Sequence, residues 1–479
     1  MLLLPLGIAW LTAVLLIVLN GRNRWVGCFA IAGMTGNVVA NIWLAITVLR
    51  DGPQQMVAGG WEPGVGITLR ADALGVTFAV ISTCVLLAAL IFEVIIGVHE
   101  RRFPALVLFI ATGLTGLFLT GDVFNFYVFF EIAMTASFAL AGYGMRPRET
   151  RAALTFTIIN LIGSVLFVIG IASLYHVTGT LDMQSIAART GRSDPTPLIF
   201  IDSTILIGTL IFVAFSIKIG LFPFHFWLPP VYRDTWPAVA AIFGGAVANI
   251  GSYGLLRFGA EILPHEREVG AYVLIILGTI SIIYGAHQAV SARRASEALA
   301  YSSISQAGYI IVALGIGGPI GFAAAILFTI VNSMNKTVLF LSTGLRGWLV
   351  GVAFVIGAFS VAGVPPSAGF FGKAAIFHAS IATENILLIA LLFLGGGLSF
   401  VYMFQIYQRD FWERNRAEQA SPFLARMHVL FLAALILVVG IWPEPMLAVS
   451  EQAASVLTGD SVGVSTGESS PDTRIGGGQ

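Results

Sequence analysis

Three lysines make up the whole lysine complement of this 479-residue chain, and each lies inside an apolar stretch long enough to cross a bilayer. They are Lys218 in LIFVAFSIKIGLFPFHFW, Lys336 in FTIVNSMNKTVLFLSTG and Lys373 in GVPPSAGFFGKAAIFHA. The other 22 of the 25 basic residues are arginines, placed mostly between the apolar stretches. A charge at the centre of a membrane helix costs at least about 2.5–3.5 kcal/mol. Lysines kept out of the loops and held in the helices therefore point to use there. Glu131 sits likewise inside GDVFNFYVFFEIAMTASFAL. A carboxylate and ammonium groups at that depth can pass protons or steer ions, and the first reading is a pathway through the membrane. The competing reading is a structural ion pair that fixes helix packing.

Spacing places these groups at similar depth. Glu131 lies nine residues past Asp122, which opens its span at the expected aqueous edge, so it is about 13–14 Å along the helix. Lys218 is almost midway between Asp202 and Arg233, and Lys336 is ten residues, about 15 Å, from Arg346. An unpaired carboxylate or ammonium at that depth is driven towards its neutral form, whereas a Glu131–Lys218 pair keeps both charged and can be switched by a passing proton. His225, seven residues past Lys218, is a candidate relay, or a side chain that bonds loose backbone near Pro223. Glu93 ends its span, where it is expected to reach the headgroups. Asn160 and Asn249 read as interhelical glue or as polar relay points.

The elements that must position these groups are helices. Hydrophobic residues form 57% of the chain and charged residues 10%, with a mean hydropathy of +0.89. That excludes a soluble globular protein of this length. A span needs roughly 20 apolar residues. Stretches of that kind fall near 2–20, 25–49, 73–97, 103–119, 123–143, 152–175, 203–222, 236–256, 269–290, 300–316, 319–342, 349–375, 386–406 and 427–449, about fourteen in all. Residues 1–20 lack a basic leader and a cleavage pattern and read as the first span. Residues 51–72 are Gly-rich with a short alternating run and predict an external loop or β-hairpin. The expected organisation is one membrane domain over 1–457 followed by a disordered polar tail over 458–479.

Two of the spans are interrupted, and each carries a lysine. Gly220, Pro223, Pro229 and Pro230 follow Lys218, while Gly363, Pro365, Pro366, Gly369 and Gly372 precede Lys373. Broken helices in matching places mark transport sites at mid-membrane, although prolines in membrane helices also serve packing. Fifteen of the 22 arginines fall in the odd-numbered loops between spans, which puts those loops in the cytoplasm and both termini outside the cell membrane. Cys28 and Cys84 lie in apolar helices, so no disulfide, metal cluster or cofactor is expected. Neither is a nucleic-acid surface.

TGDVFNFYVFFEI (120–132), IKIGLFPFHFWLPPVY (217–232), LAYSSISQAGYIIVALG (299–315) and GVPPSAGFFGK (363–373) together carry a resemblance. The chain, from about residue 60 to 410, resembles the proton-conducting membrane subunits shared by respiratory complex I, membrane-bound hydrogenases and Mrp-type cation/proton antiporters. It is most similar to the D-type subunit of the antiporters. The resemblance implies an all-α polytopic membrane protein of fourteen helices. Two inverted five-helix repeats (about 103–256 and 269–406) and discontinuous seventh and twelfth helices belong to that expectation. It makes Glu131 the family glutamate of the fifth helix, Lys218 its partner on the seventh, Lys336 the lysine of an HxxxK pattern on the eleventh, and Lys373 the terminal lysine on the twelfth. Three family positions differ. Asn249 stands where the eighth helix usually carries lysine, Asn332 replaces the histidine of HxxxK, and Ser296 replaces a lysine. Asparagine can hold water but carries no proton itself.

The function expected is a subunit of a hetero-oligomeric antiporter that exchanges Na⁺, or another monovalent cation, for protons. Glu131 and Lys218 would form its gate, and Lys336 and Lys373 would continue the path. Two alternatives stay open: a pump subunit of a complex I-like NADH–quinone oxidoreductase or hydrogenase, and a scaffold subunit that no longer conducts.

Overall fold

The computed structural model describes residues 1–61, 66–142, 147–190, 198–412 and 421–459, with the side chains of 198–203 left aside. The tail over 460–479, together with Arg146, Arg192, Arg414, Arg416 and Arg474, lies outside the described residues. In chain order the helices begin with α1 (Leu3–Val18) and α2 (Arg24–Asp51). The expected hairpin follows as β1 (Gln54–Val57) antiparallel to β2 (Thr68–Ala71), with Gln54 opposite Ala71. Next come α3 (Ala73–Ile96), α4 (Phe103–Phe118), α5 (Val123–Ala141), α6 (Pro147–Thr178), α7 (Met183–Thr190) and α8 (Leu198–Ile219). After a break the chain continues as α9 (Leu228–Asp234), α10 (Pro237–Ile242), α11 (Asn249–Leu256) and α12 (Pro264–Val269). Then follow α13 (Ala271–Ser291), α14 (Ala295–Ile316), α15 (Gly318–Thr343), α16 (Trp348–Ala362), α17 (Ala368–Ile381), α18 (Ile386–Tyr407), α19 (Phe423–Ile441) and α20 (Glu444–Thr458).

Among the described residues, eleven helical stretches are long and apolar enough to cross a membrane, and Leu3–Val18, Phe103–Phe118 and Trp348–Ala362 are shorter apolar helices. Their starts are fixed chemically. The Asp72, Asp122 and Asn385 side chains accept from the backbone N–H of Gly75, Asn125 and Leu388, capping α3, α5 and α18. Helix α15 lies at the centre, packed by α3, α10, α14, α16, α17, α19 and α20. All eight residues of α11 are buried, and π-helical stretches at Phe243–Val247 and Arg257–Ile262 flank it.

Both interrupted spans break where glycine and proline predict. Helix α8 stops at Ile219, Gly220 takes φ +73°, and a tight turn over Phe224–Trp227 leads into α9. Helix α16 stops at Ala362, Gly363 takes φ +82°, and α17 begins at Ala368. The Phe222–Pro223 and Pro365–Pro366 peptides are cis. The second turn is tightly wrapped: a Cβ at Gly440 of α19 would collide with the Pro366 carbonyl oxygen.

Two expectations need correction. The apolar stretch over 427–449 is not one span, because α19 ends at Ile441 and α20 starts at Glu444. Pro443 cannot continue the hydrogen-bond ladder, and the next helix turns inward against α15 and α3. Asp122, which opens α5, is 9% exposed, its backbone bridged to Asp182. Glu93 does not reach the headgroups. It is buried and its carboxylate meets His99 Nδ1 at 2.7 Å.

Candidate functional site

The first lysine sits at the end of a helix. Lys218 is in the last turn of α8, where unsatisfied carbonyls favour a cation. The break supplies donors to those carbonyls: Leu221 N–H bonds Ser216 O at 3.0 Å, and Trp227 Nε1 bonds Ile217 O at 2.9 Å. The Lys218 ammonium is buried against the Met134 sulfur, with the Phe130 and Phe156 rings 5.5 and 5.7 Å away. Thioether and ring faces are weak partners for an ammonium. Among the described residues it has no oxygen acceptor.

Glu131 and Lys218 are therefore not in direct contact. Ser164 of α6 donates its hydroxyl to the Glu131 carboxylate, while Met134, one turn along α5, occupies the ammonium. The Glu131 charge still attracts Lys218 through the protein. Glu131 also lines an open cavity of about 570 Å³ between α4 and α5, walled by Leu106, Phe109, Tyr127, Val128 and Thr135. The carboxylate thus faces both a groove and the interior.

The other two lysines are held by oxygen. Lys336 is fully buried on α15, and its ammonium donates to Leu299 O at 3.2 Å and Ser302 Oγ at 2.9 Å, both on α14. The Tyr402 hydroxyl of α18 donates to the same Ser302 oxygen at 2.9 Å. Lys373 lies against the second helix break and donates to Ala362 O, at the end of α16, at 3.1 Å. Its stem packs where a Cβ on Gly363 would sit, 2.7 Å from Lys373 Cδ. The Tyr309 ring of α14 is 5.3 Å from its ammonium. Lys336 and Lys373 thus flank one polar seam along α14 and α18, and Lys218 stands apart from it.

Asn249 occupies the middle. Its amide donates to Ser82 Oγ at 2.9 Å and Gly245 O at 3.0 Å, and its oxygen accepts from Ser333 Oγ at 3.1 Å. This joins α3, α11 and α15, so both amide hydrogens are already committed to protein. The other two relay candidates are less occupied. Among the described residues, Asn332 Oδ1 and His225 Nδ1 are buried without a partner, and the His225 ring packs 4.6 Å from Tyr284. Ser296 donates to Arg233 O at 3.3 Å.

One charged cluster is not evident from the sequence. Arg70 of β2 pairs with Asp72 at 3.0 Å and Glu261 at 2.5 Å. Arg257 pairs with Asp72 at 2.7 Å and also with Glu261. The four form a closed ring beside Tyr253, whose hydroxyl accepts from Arg257 Nε at 3.1 Å. Burial alone would raise the Asp72 carboxyl, but Arg257 and Arg70 hold it down to about 2. By position in the sequence Arg257 reads as a loop arginine, yet it is 2% exposed. The i, i+4 spacing of Arg257 and Glu261 and the i, i+2 spacing of Arg70 and Asp72 are the local signals of the cluster.

Charge held inside a bundle of apolar helices, at the points where two of those helices break, defines a class: a polytopic membrane protein built to handle ions. Residues 120–348 and 347–399 match the NADH:quinone oxidoreductase/Mrp antiporter transmembrane family, and the chain belongs to it. The D-type subunit of a Na⁺/H⁺ antiporter from Alkalihalophilus pseudofirmus is 31% identical over 460 residues, covering 91% of this chain and 92% of that one. A chain in the Mrp complex of Dietzia sp. DQ12-45-1b superposes with a TM-score of 0.86 at 25% identity, covering 95% of this chain and 97% of that one. A chain of respiratory complex I from Thermus thermophilus shares the fold at a TM-score of 0.83 and 23% identity, over 95% of this chain and 100% of that one.

Proposed function

We propose that this chain is an integral subunit of a hetero-oligomeric antiporter exchanging Na⁺, or another monovalent cation, for protons across the cell membrane. The observation that carries this reading is the placement of buried lysines at both helix breaks, Lys218 beside Gly220 and Lys373 beside Gly363. The antiporter relative and the likeness to a chain of the Mrp complex support it.

In this reading Glu131 and Lys218 form the input gate. A proton reaching Glu131 from the groove between α4 and α5 neutralises it and removes its pull on Lys218. When Glu131 is ionised, the ammonium can leave Met134 for the carboxylate, which is the stronger partner. Lys336, Ser302 and Tyr402 then carry the path across α14 towards Lys373, the outlet. The eleven long and three short apolar helices are read as fourteen spans in one domain over 1–457, with repeats at about 103–256 and 269–406. The arginine bias puts both termini outside.

The test is Glu131→Gln in the assembled complex, reconstituted in vesicles. Cation-dependent collapse of an imposed pH gradient should be abolished at near-normal assembly. Exchange at the wild-type rate would overturn the gate. Loss of the complex itself would favour the structural ion pair.

A further inference from the structure

A second cavity, of about 360 Å³, opens between α8, α12 and α13, close in sequence to Glu261, which pairs with Arg70 of the hairpin. Its walls are apolar, with Ile211, Phe212, Phe215, Phe258, Leu274 and Leu314 among them. At one end stand two charged side chains, Glu266 and Arg267, on α12. The Arg267 side chain is only 9% exposed and lies over the Phe322 ring at 5.4 Å. Its one carboxylate partner among the described residues, Glu268 at 3.2 Å, is 67% exposed and so well screened by water. Burial pulls Arg267 below the usual arginine range despite that partner. Among the described residues, Arg267 Nε is buried with no partner, and so is Glu266 Oε2. One apolar cavity is thus lined by a cation and an anion that each keep a buried polar atom without a partner among the described residues.

The location narrows what fits. Helix α12 connects one membrane-crossing stretch, ending at Ile262, to the next, beginning at Ala271, which is headgroup level for a spanning bundle. Val269 and Val273 line the mouth and are 55% and 54% exposed, so the cavity opens beside a lipid-facing surface. A ligand that satisfies both orphan atoms needs an apolar tail, an anion and a hydrogen-bonding cation. We infer that this cavity binds one phospholipid of the phosphatidylethanolamine type, with an acyl chain inside, the phosphate on Arg267 Nε and the ammonium on Glu266 Oε2. Phosphatidylglycerol brings no cation for Glu266. Phosphatidylcholine brings a quaternary ammonium that cannot donate a hydrogen bond.

The test uses the assembled complex equilibrated with vesicles containing equal parts phosphatidylethanolamine, phosphatidylcholine and phosphatidylglycerol, followed by mass spectrometry of retained lipid. Wild type should retain phosphatidylethanolamine at least fivefold over either competitor. Glu266→Gln should reduce that preference below twofold. Gly259→Phe should abolish retention, because its Cβ meets only the Arg267 stem at 3.8 Å and its ring fills the cavity. Equal retention of the three lipids, or unchanged retention in Gly259→Phe, would overturn the site. Should the phenylalanine variant not assemble, a photoreactive side chain at Thr209, on the cavity wall, decides it. A phospholipid adduct supports the proposal, while an adduct to a partner subunit or to residues 191–197 overturns it.

Discussion

The two halves of the bundle hold their lysines by opposite means. Around Lys218 the walls are Met134, Phe130 and Phe156, and the nearest acid, Glu131, spends its oxygen on Ser164 and faces an open groove. Around Lys336 and Lys373 the partners are backbone and hydroxyl oxygens at 2.9–3.2 Å. An ammonium among weak partners gains most from a new one, so the first half is poised to change. Ammonium groups already bonded have less to gain, so the second half is set to transmit. In the proposed mechanism buried charge would thus serve as a switch in one place and as a link in the other.

The sharpest way to break this contrast is to strike the rigid half. A Cβ at Gly369 would overlap the Ser360 carbonyl oxygen, a clash with backbone that no side-chain movement relieves. Gly369→Ala should leave less than about a tenth of the complex assembled, as an unrelieved core overlap costs several kcal/mol. Gly142→Ala in the first half, where the new atom meets Ala153 Cβ at 3.5 Å, should assemble normally on a native gel.

Next comes the exchange of each lysine for methionine. Lys218→Met should cut transport by about 10²-fold, the scale of a lost proton-transfer group, with no loss of thermal stability. Lys336→Met should also slow transport, but it deletes two hydrogen bonds from the ammonium, to Leu299 O and Ser302 Oγ, and should lower stability by about 1–3 kcal/mol. Equal stability losses in the two variants would erase the distinction between the halves.

Asn249, between them, gives a smaller and more diagnostic effect. Asn249→Leu removes the shared partner of Ser82 and Ser333 and should reduce transport sharply if the centre conducts through polar groups. Asn249→Lys should be tolerated, because both hydroxyls can accept from an ammonium. In a subunit that only scaffolds, leucine would be harmless and lysine costly. Transport per assembled complex separates the two patterns.

The smallest effect lies at the periphery. The hydrogen bond to Glu93 raises the His99 pKa above the ordinary histidine value. A raised folded-state pKa adds stability that is complete below about pH 6.5 and fades as pH climbs through the raised value. Melting of wild type against His99→Gln should therefore differ at acid pH and converge in alkali. A difference that grows with pH would refute the assignment.

Most of the helical scaffold is legible in advance because a span is a matter of length and apolarity, and both breaks because Gly220 and Gly363 adopt backbone angles that other residues resist. The buried lysines are legible by composition alone. Their partners are not. Met134 looks like any apolar wall residue, and nothing in its spacing says that it stands between Glu131 and Lys218. The split at Ile441 is marked by the WPEP run, but hydropathy stays high across it and hides the break. The Arg70–Asp72–Arg257–Glu261 ring joins positions up to 191 residues apart, and although its Arg70–Asp72 and Arg257–Glu261 edges are local, nothing in either says that the two pairs meet.

That ring has an electrical consequence. Two positive and two negative side chains close on one another, so at a distance their fields cancel and the end of the bundle that they clasp is silent to ions in transit. The silence depends on all four members. Replace Arg257 by a neutral residue, and one negative charge is left uncancelled in a low-dielectric setting where it acts over a long range. The clasp would become a well for passing cations, and traffic would slow at a place that touches none of the lysines.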